Sequence, residues 1–402
     1  MLLFLTQVNG DHFTYLEKIL MKKILLVLTA GFAMFSMFFG SGNLVFPILL
    51  GQSSLHHYPW AILGMFLTGV IIPFTGVFGI LLYQGNLSAY FARAGKYIPE
   101  ISLFFILPLI GPFGVIPRCI TVAHGGIELI FPKISLWKVS FIICLFTFLM
   151  LWNKNRTIEI LGKWLAPILL AGLFLIIFAT IKKPLPIQTT LVAPKTIFLH
   201  ALQQGFQTMD LLGAFFFASH IMNYLKSKTT QSLISLSFFS CLIGASLLMG
   251  VYTSFVYTGA KYAPFLSHLA PELMLSTIVK STFSQFAQPI ASLTIVLACL
   301  TTIVVLGKLF TEYLTRHLHR LGFQHTFLAF ITMGTSFIFS LFGFHGISQF
   351  LSKILAILYP AFIALSIGNI IDYWSPISLV KPFFYGTLGF FCCKTIWNFL
   401  GS

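Results

Sequence analysis

Four residues in the middle of a long apolar run, Gly40, Ser41, Gly42 and Asn43, have the types and spacing to bind a small charged molecule. They are poor residues for a helix interior, because each glycine costs about 1 kcal/mol relative to alanine and asparagine offers the backbone competing hydrogen bonds. Pro47 then removes another helical donor. A helix broken here exposes N–H groups that bind anions and carbonyl groups that bind cations. The alternative is a close helix crossing, which also needs small residues.

A second polar segment interrupts another apolar run, because residues 203–210 read QQGFQTMD in the middle of 197–225. Polar side chains are costly at that depth in a membrane. The interrupted runs are the first and the sixth along the chain. They are five spans apart, and five is an odd number. A duplicated five-helix unit would therefore insert its two copies into the membrane in opposite orientations. Interrupted helices at matching positions of two halves predict a binding site between them.

Two charged residues, Arg118 and Asp210, lie within apolar runs and have no evident route to the membrane surface. Each alone costs at least about 2.5–3.5 kcal/mol at a helix centre, so each is expected to have a partner. We predict that they pair with each other or with carbonyl groups of the broken segments. A direct role in transport and a structural tie between helices both remain open.

The composition of the 402-residue chain indicates its class, because 57% of the residues are hydrophobic and only 8% are charged. A soluble domain carries about 25% charged residues. The apolar runs do not alternate as barrel strands do, so the sequence predicts an all-α polytopic membrane protein. The net charge of +15 comes from basic residues in short loops, which indicates membrane orientation and not a nucleic-acid partner. The six cysteines form no CxxC motif, so neither a metal centre nor a disulfide is expected.

Apolar runs of about 20 residues predict eleven membrane-spanning helices. The predicted spans are 24–50, 60–83, 101–123, 135–152, 161–181, 197–225, 231–258, 284–310, 325–344, 352–371 and 381–400. With a cytoplasmic N-terminus the inner loops hold fourteen lysines and arginines and the outer loops eight, which favours that orientation. Residues 1–20 are interpreted as an extension without a structural role. Residues 21–400 are predicted to form one domain, with repeats at 24–181 and 197–371 and an extra helix at 381–400.

Several motifs then occur in the order known from one family. They resemble segments of the branched-chain amino acid:cation symporters, the bacterial branched-chain amino acid carriers: GFAMFSMFFGSGNLVFP (31–47), GPFGVIPRCITVA (111–123), NKNRTIEILGKWLAPILL (153–170), GFQTMDLLGAFFFA (205–218), LACLTTIVVL (297–306) and SKILAILYPAFIALSI (352–367). The resemblance covers about residues 22–380. It implies the amino acid–polyamine–organocation superfamily, a five-plus-five inverted-repeat core with broken helices one and six, and import of leucine, isoleucine and valine with Na⁺ across the bacterial inner membrane.

The chain departs from the family pattern in two ways. The family usually has twelve spans, whereas eleven are predicted here, and the absent helix lies outside the ten-helix core. After ITVA the family commonly continues with an aromatic–glutamate pair, where this chain has His124 and Gly125. A role for that carboxylate therefore does not carry over.

The resemblance also implies a sodium site between the first and eighth spans. Its ligands are the carbonyl groups of Ser36 and Phe39, just before the first break, together with Ala298, Thr301 and Thr302. In a helix the i, i+3, i+4 spacing places these last three on one face, where a carbonyl and two hydroxyls supply hard oxygen ligands. The alternative is that both threonine hydroxyls bond only to their own helix. No cofactor other than this coupling ion is expected.

The predicted substrate site joins the two breaks. The substrate carboxylate is expected on the N–H groups of the first turn after the first break, where the helix dipole favours an anion. The ammonium group is expected on carbonyls of the second break, with the aliphatic chain beside a phenylalanine. One methylene is worth only about 1–3 kcal/mol, so the three branched amino acids can share one site. The predicted residues are Gly40, Ser41, Gly42, Asn43, Gly205, Phe206 and Gln207.

The nearest alternative is a carrier of the same fold that is coupled to protons or selective for other neutral amino acids. Histidine is the residue type that commonly carries protons near neutral pH, so the candidates for proton coupling are His124, His220 and His345, although histidines near span ends are typically interfacial groups. An enzyme is not expected, because the sequence has no HExxH, no GxSxG and no paired intramembrane carboxylates. A channel is disfavoured because no repeated filter-like segment occurs. The expected partners are a small substrate, sodium and membrane lipid.

Overall fold

The computed structural model describes residues 21–152, 166–229, 233–318, 322–375 and 378–400, and the regular structure in these ranges is helical. The predicted extension at 1–20 and the first residues of the fifth span, 161–165, lie outside them. The helices are α1 Met21–Phe38, α2 Ser41–Ser54, α3 Tyr58–Phe66, α4 Ile72–Leu82, α5 Leu87–Ala92, α6 Ile98–Ile110, α7 Val115–Ile127, α8 Leu136–Trp152, α9 Ala166–Lys182, α10 Pro194–Gln207, α11 Asp210–Lys228, α12 Leu233–Lys261, α13 Ala263–Leu266, α14 Met274–Thr282, α15 Gln288–Leu318, α16 His325–Ser340, α17 Gly343–Trp374 and α18 Val380–Leu400.

The long apolar helices confirm the predicted class, an all-α polytopic membrane protein. Six helical stretches in the described ranges are long and apolar enough to cross a bilayer, and three shorter apolar helices, α8, α9 and α16, accompany them. Each of the eleven predicted spans overlaps one helix or a pair of helices. The second span is continuous through a π-helical segment, Leu67–Ile71, that joins α3 to α4.

The packing partners follow the symmetry of two inverted five-span repeats. α2 of span one packs on α12 of span seven, and α10 and α11 of span six pack on α3 and α4 of span two. Span one of the first repeat corresponds to span six of the second, and span two corresponds to span seven. The contact between spans one and seven therefore corresponds to the contact between spans six and two. Spans three and eight (α7 and α15) and spans four and nine (α8 and α16) also pack together, and each of these pairs maps onto itself. Spans one, two, six and seven therefore form one group, and spans three, four, eight and nine form another.

The third span contains a break that the sequence prediction of one continuous helix at 101–123 missed. α6 ends at Ile110 and α7 begins at Val115, with a turn at residues 111–114 between them. The residue before a proline disfavours helical geometry, which stops α6 before Pro112. The turn keeps its backbone paired, since the N–H groups of Phe113 and Ile116 donate to the carbonyls of Pro108 and Gly111 at 3.1 and 3.2 Å. This break points the start of α7 toward the interior.

Glycines allow a close helix crossing between α2 and α12. A Cβ atom placed on Gly51 would overlap the carbonyl oxygen of Val256, and one placed on Gly259 would overlap the carbonyl oxygen of Ile48. The two backbones therefore meet directly, as small residues permit in membrane helices. Spans one and seven are joined along this contact.

We predict that Gly259→Ala lowers the stability of the protein, because a methyl group there forces the α2 and α12 backbones apart. Overpacking of this kind costs about 1–3 kcal/mol. The matched control is Gly250→Ala on the same helix, where an added Cβ meets nothing within 4 Å. Thermal unfolding of the purified proteins in detergent is the measurement. Equal melting temperatures for the two variants would contradict the backbone contact.

Candidate functional site

The first break lies between α1 and α2, at residues 39–40, and the asparagine that follows it caps the new helix. Gly40 is extended (φ −129°, ψ −161°), and α2 begins at Ser41. The backbone N–H of Gly40 donates to the Asn43 Oδ1 at 2.9 Å. The Asn43 side chain thus pairs a donor that the break frees, and such pairing is needed because an unpaired backbone group in hydrocarbon costs several kcal/mol.

The second break lies between α10 and α11, at residues 208–209. Met209 adopts a left-handed conformation (φ 61°), which ends α10 and turns the chain into α11. The first turn of α11 is capped from another span, because the N–H of Leu211 donates to the Tyr359 hydroxyl at 3.1 Å. Both predicted broken helices are therefore confirmed, at the predicted places in the first and sixth spans.

Three buried side chains link the two breaks. The Asn43 Nδ2 donates to both oxygens of Asp210, at 3.1 and 3.0 Å, and also contacts the Tyr252 hydroxyl. The Tyr252 hydroxyl donates to the Asp210 Oδ2 at 2.6 Å. Only 4% of the Asp210 surface is exposed. We call this set the Asn43–Asp210–Tyr252 network; its carboxylate lies at the start of α11, where the helix dipole favours a negative charge.

Arg118 of α7 contacts the second break at the end of α10 and at Met209. Its Nη1 donates to the Gln207 carbonyl at 2.9 Å and its Nη2 contacts the Met209 sulfur at 2.8 Å. The guanidinium lies over the rings of Phe46 and Phe344, 5.5 and 5.8 Å from their centroids, and is fully buried. Of the two predicted arrangements, Arg118 adopts the second, in which it binds a carbonyl of the broken segment.

The first predicted arrangement, an ion pair between Arg118 and Asp210, is not found. The ion pairs in the described ranges are Arg93 with Asp372, and Lys308 with Glu312. Arg118 is close enough for its charge to act on Asp210 through space. The hydrogen-bond partners of the carboxylate are neutral because the guanidinium is directed at the Gln207 carbonyl instead.

A small cavity of about 30 Å³ lies between the two breaks. Gly40, Ser41, Gly42 and Asn43, the predicted residues of the first break, all line it. The predicted residues of the sixth span, Gly205, Phe206 and Gln207, do not line it; the Phe206 ring packs at a tilt against Tyr359, with ring centroids 4.8 Å apart. The sixth span lines the cavity with residues that come after Gln207 in the chain. The full lining is Met37, Phe38, Gly40, Ser41, Gly42, Asn43, Ile110, Val115, Thr208, Met209, Asp210, Gly213, Phe217, Thr302 and Leu306.

Oxygen atoms of the first and eighth spans meet next to this cavity. The Thr302 hydroxyl lies 3.2 Å from the Phe39 carbonyl and 3.1 Å from the Ala298 carbonyl. The Thr301 hydroxyl bonds to the Ala298 carbonyl at 3.0 Å, within its own helix, and the Ser36 hydroxyl bonds to the Ala33 carbonyl at 2.9 Å. Phe39, Ala298 and Thr302 are thus brought together. Thr301 is linked to this group through the Ala298 carbonyl, to which its hydroxyl donates.

Tyr252 and Tyr359 cap polar groups of the second break, and the sequence analysis did not single them out. The chain has 13 tyrosines, and their spacing does not show which of them reach the interior. Both side chains are fully buried here, with their hydroxyls on Asp210 and on the Leu211 N–H. A tyrosine in mid-span is a weak signal, since its hydroxyl needs a partner when it is buried.

The sequence profile of one family, described as branched-chain amino acid transport protein, matches residues 22–395. The chain belongs to this family. Among similar members, a protein of Staphylococcus haemolyticus (strain JCSC1435) named as a branched-chain amino acid carrier is 27% identical over 364 residues, covering 82% of this chain and 78% of that protein. One of Staphylococcus aureus (strain MRSA252), with the same type of name, is 28% identical over 365 residues, with the same coverage.

Solved transporter structures share the fold of this family member. Mhp1, described as a nucleobase-cation-symport-1 family transporter, in a closed conformation with bromovinylhydantoin bound, aligns with a TM-score of 0.60 at 12% identity, covering 92% of each chain. MhsT in complex with L-phenylalanine aligns with a TM-score of 0.55 at 15% identity, covering 92% of this chain and 97% of that one. At these identities the likeness shows the fold alone.

We predict that Arg118→Met destabilises this carrier, because it leaves the Gln207 carbonyl without its charged donor. A hydrogen bond to a charged group contributes about 1.5–3 kcal/mol. The control is Lys138→Met, which removes an exposed cation on α8. Thermal unfolding in detergent should show a lower melting temperature for Arg118→Met than for the control. If both match the unchanged protein, Arg118 does not hold the break.

Proposed function

We propose that this protein imports branched-chain amino acids across the bacterial cytoplasmic membrane by sodium-coupled symport, with its N-terminus in the cytoplasm. The observation that carries the proposal is the cavity between two broken helices, lined by the first turn of α2 and by Asp210. Family membership supports a branched-chain amino acid as the substrate. The sodium coupling rests on the oxygen atoms near Thr302.

The substrate carboxylate would bind at the start of α2. The first N–H groups of a helix have no partner within it, and its dipole favours an anion there. Ser41 and Gly42 line the cavity at this point, with no large side chain to keep a ligand away from the backbone. A zwitterion would thus place its negative end on the first turn of α2.

Once the cavity widens, the aliphatic side chain of the substrate would occupy its apolar part. Phe206 does not line the cavity, so other residues must form this pocket: Met37, Phe38, Ile110, Val115, Phe217 and Leu306. They come from spans one, three, six and eight, which belong to both packing groups. A flexible methionine and phenylalanine rings adapt to small differences in shape, which suits leucine, isoleucine and valine equally.

Sodium would bind where the first and eighth spans meet. The Phe39 and Ala298 carbonyls and the Thr302 hydroxyl already converge there, and Thr301 can turn its hydroxyl toward them from the next position. Ser36 would supply its carbonyl from one turn before the break. A cation held by neutral oxygens ties α1 to α15 and so stabilises the closed substrate site. Its movement down the gradient would drive uptake as the two packing groups move against each other.

We expect purified protein in proteoliposomes to accumulate radiolabelled leucine when sodium is high outside, and to accumulate little when sodium is equal on both sides. Unlabelled isoleucine and valine should compete with leucine within about 10-fold of each other, because one methylene is worth only about 1–3 kcal/mol. A pH gradient is imposed in parallel. Uptake that follows the pH gradient and ignores sodium would contradict the sodium coupling, and absence of leucine uptake under every gradient would contradict the substrate.

We predict that Thr302→Ala raises the sodium concentration needed for half-maximal leucine uptake by at least about 10-fold, since a tenfold change corresponds to about 1.4 kcal/mol from one lost ligand. Adding Thr301→Ala should abolish sodium stimulation. The matched control is Thr315→Ala on the same helix, where the hydroxyl bonds only to the Thr311 carbonyl, at 2.8 Å. An unchanged sodium dependence in the double variant would reject this ion site.

A further inference from the structure

The carbonyl groups expected to bind the substrate ammonium already have donors. The Thr208 hydroxyl donates to the Gly205 carbonyl at 2.8 Å, and the Met209 N–H donates to the Phe206 carbonyl at 3.1 Å. The Gln207 carbonyl accepts from Arg118 at 2.9 Å. The three residues that carry these carbonyl groups, Gly205, Phe206 and Gln207, do not line the cavity. Because these carbonyl groups belong to residues outside the cavity lining, an ammonium group in the cavity needs a different acceptor.

Asp210 has the properties of that acceptor. It lines the cavity, and the donors that its carboxylate accepts from, Asn43 and Tyr252, are neutral. It forms no ion pair within the described ranges. A buried carboxylate is costly unless a cation approaches it, and two oxygens offer about four acceptor positions. Asn43 and Tyr252 make three hydrogen bonds to these positions and leave about one to a ligand.

We propose that the carboxylate of Asp210 binds the α-ammonium group of the transported amino acid. The inference rests on the proposed function, since it assumes that a zwitterion enters this cavity. Asn43 and Tyr252 act as positioning residues, because they hold the carboxylate and do not themselves supply the counter-charge. Arg118 acts on this carboxylate only through space, because its guanidinium bonds to the Gln207 carbonyl, so the ammonium would be the first cation to bond to the carboxylate directly.

The two breaks are close enough for one amino acid to reach both. Asn43 sits in the first turn of α2 and contacts Asp210 of α11 directly, at 3.0 Å. A Cβ atom placed on Gly42 would lie 3.1 Å from the Thr208 Cα, so the two segments almost touch. The ammonium and carboxylate of an α-amino acid share one carbon atom. They can therefore bind Asp210 and the α2 N–H groups at the same time.

The network fits an ammonium group better than a second metal cation. Asn43 and Tyr252 present an N–H and an O–H to the carboxylate, and the Asn43 Oδ1 is occupied by the Gly40 N–H. An alkali cation needs several oxygen ligands around it, whereas the network presents donors on these sides. An ammonium group needs only acceptors for its three N–H bonds, and the carboxylate supplies the charged one.

The test compares leucine with 4-methyl-2-oxopentanoate, which keeps the side chain and the carboxylate but replaces the ammonium-bearing carbon with a ketone. Binding of each to purified protein is measured with sodium present. Unchanged protein should bind leucine and reject the keto acid. Asp210→Asn should weaken leucine binding by at least about 30-fold, the effect of removing one partner of a buried charge pair, and should bind the keto acid as well as or better than before.

The matched control is Asp372→Asn, which removes an aspartate that pairs with Arg93 away from the cavity. It should leave the leucine affinity unchanged. Leucine binding by Asp210→Asn within about 3-fold of the unchanged protein, a difference well below 1 kcal/mol, would overturn the proposal. So would a variant that binds leucine normally but loses its sodium or pH dependence, because the carboxylate would then serve a coupling cation.

Asp210→Glu carries the test if Asp210→Asn does not fold. This variant keeps the charge but moves it by one methylene, so leucine should bind more weakly while the keto acid is still rejected. Affinities for both ligands equal to those of the unchanged protein would overturn the proposal. If unchanged protein binds none of leucine, isoleucine and valine, the proposed function itself fails, and that outcome is distinct from any result with the variants.

Discussion

An unpaired backbone group at membrane depth costs several kcal/mol, and this cost determines what surrounds the two breaks. Side chains supply the hydrogen-bond partners that the breaks require, one from the adjacent helix and two from other spans. Asn43 pairs the freed N–H of the first break, Tyr359 pairs an N–H of the second, and Arg118 pairs a carbonyl. Asn43 therefore both pairs the first break and supplies a polar side chain to the cavity wall, whereas Arg118 and Tyr359 support the second break from outside the lining.

Much of this architecture could be predicted from the sequence, because its signals are local. Two glycines beside Asn43 cannot extend a helix comfortably, and a polar segment before Asp210 cannot remain in hydrocarbon without partners. The break in the third span was missed although its four residues read GPFG, because the apolar run continues through them and none of the four carries a polar side chain. A glycine–proline pair is itself a turn signal, so this break could have been predicted from the sequence.

The partners across the cavity could not be predicted in the same way. Whether Arg118 meets Asp210 or a carbonyl depends on a few ångströms of helix position, which no spacing along the chain encodes. The same holds for Tyr252, which is 42 residues from Asp210 in sequence. Family resemblance points to the oxygen atoms of the first and eighth spans for the cation and to the carbonyls of the second break for the ammonium group, and these carbonyls accept hydrogen bonds within the fold. The hydrogen bonds that these carbonyl groups already accept are visible only in the three-dimensional structure.

The direct meeting of the α2 and α12 backbones has a mechanical consequence. The backbones meet with no side chain between them at Gly51 and Gly259, so α2 can neither roll nor slide on span seven without a steric clash. Span seven also packs closely on α1, because a Cβ atom on Gly31 would lie 3.1 Å from the Ser240 carbonyl oxygen and one on Gly244 would lie 3.3 Å from the Gly31 carbonyl oxygen. Span seven therefore braces both halves of the interrupted first span.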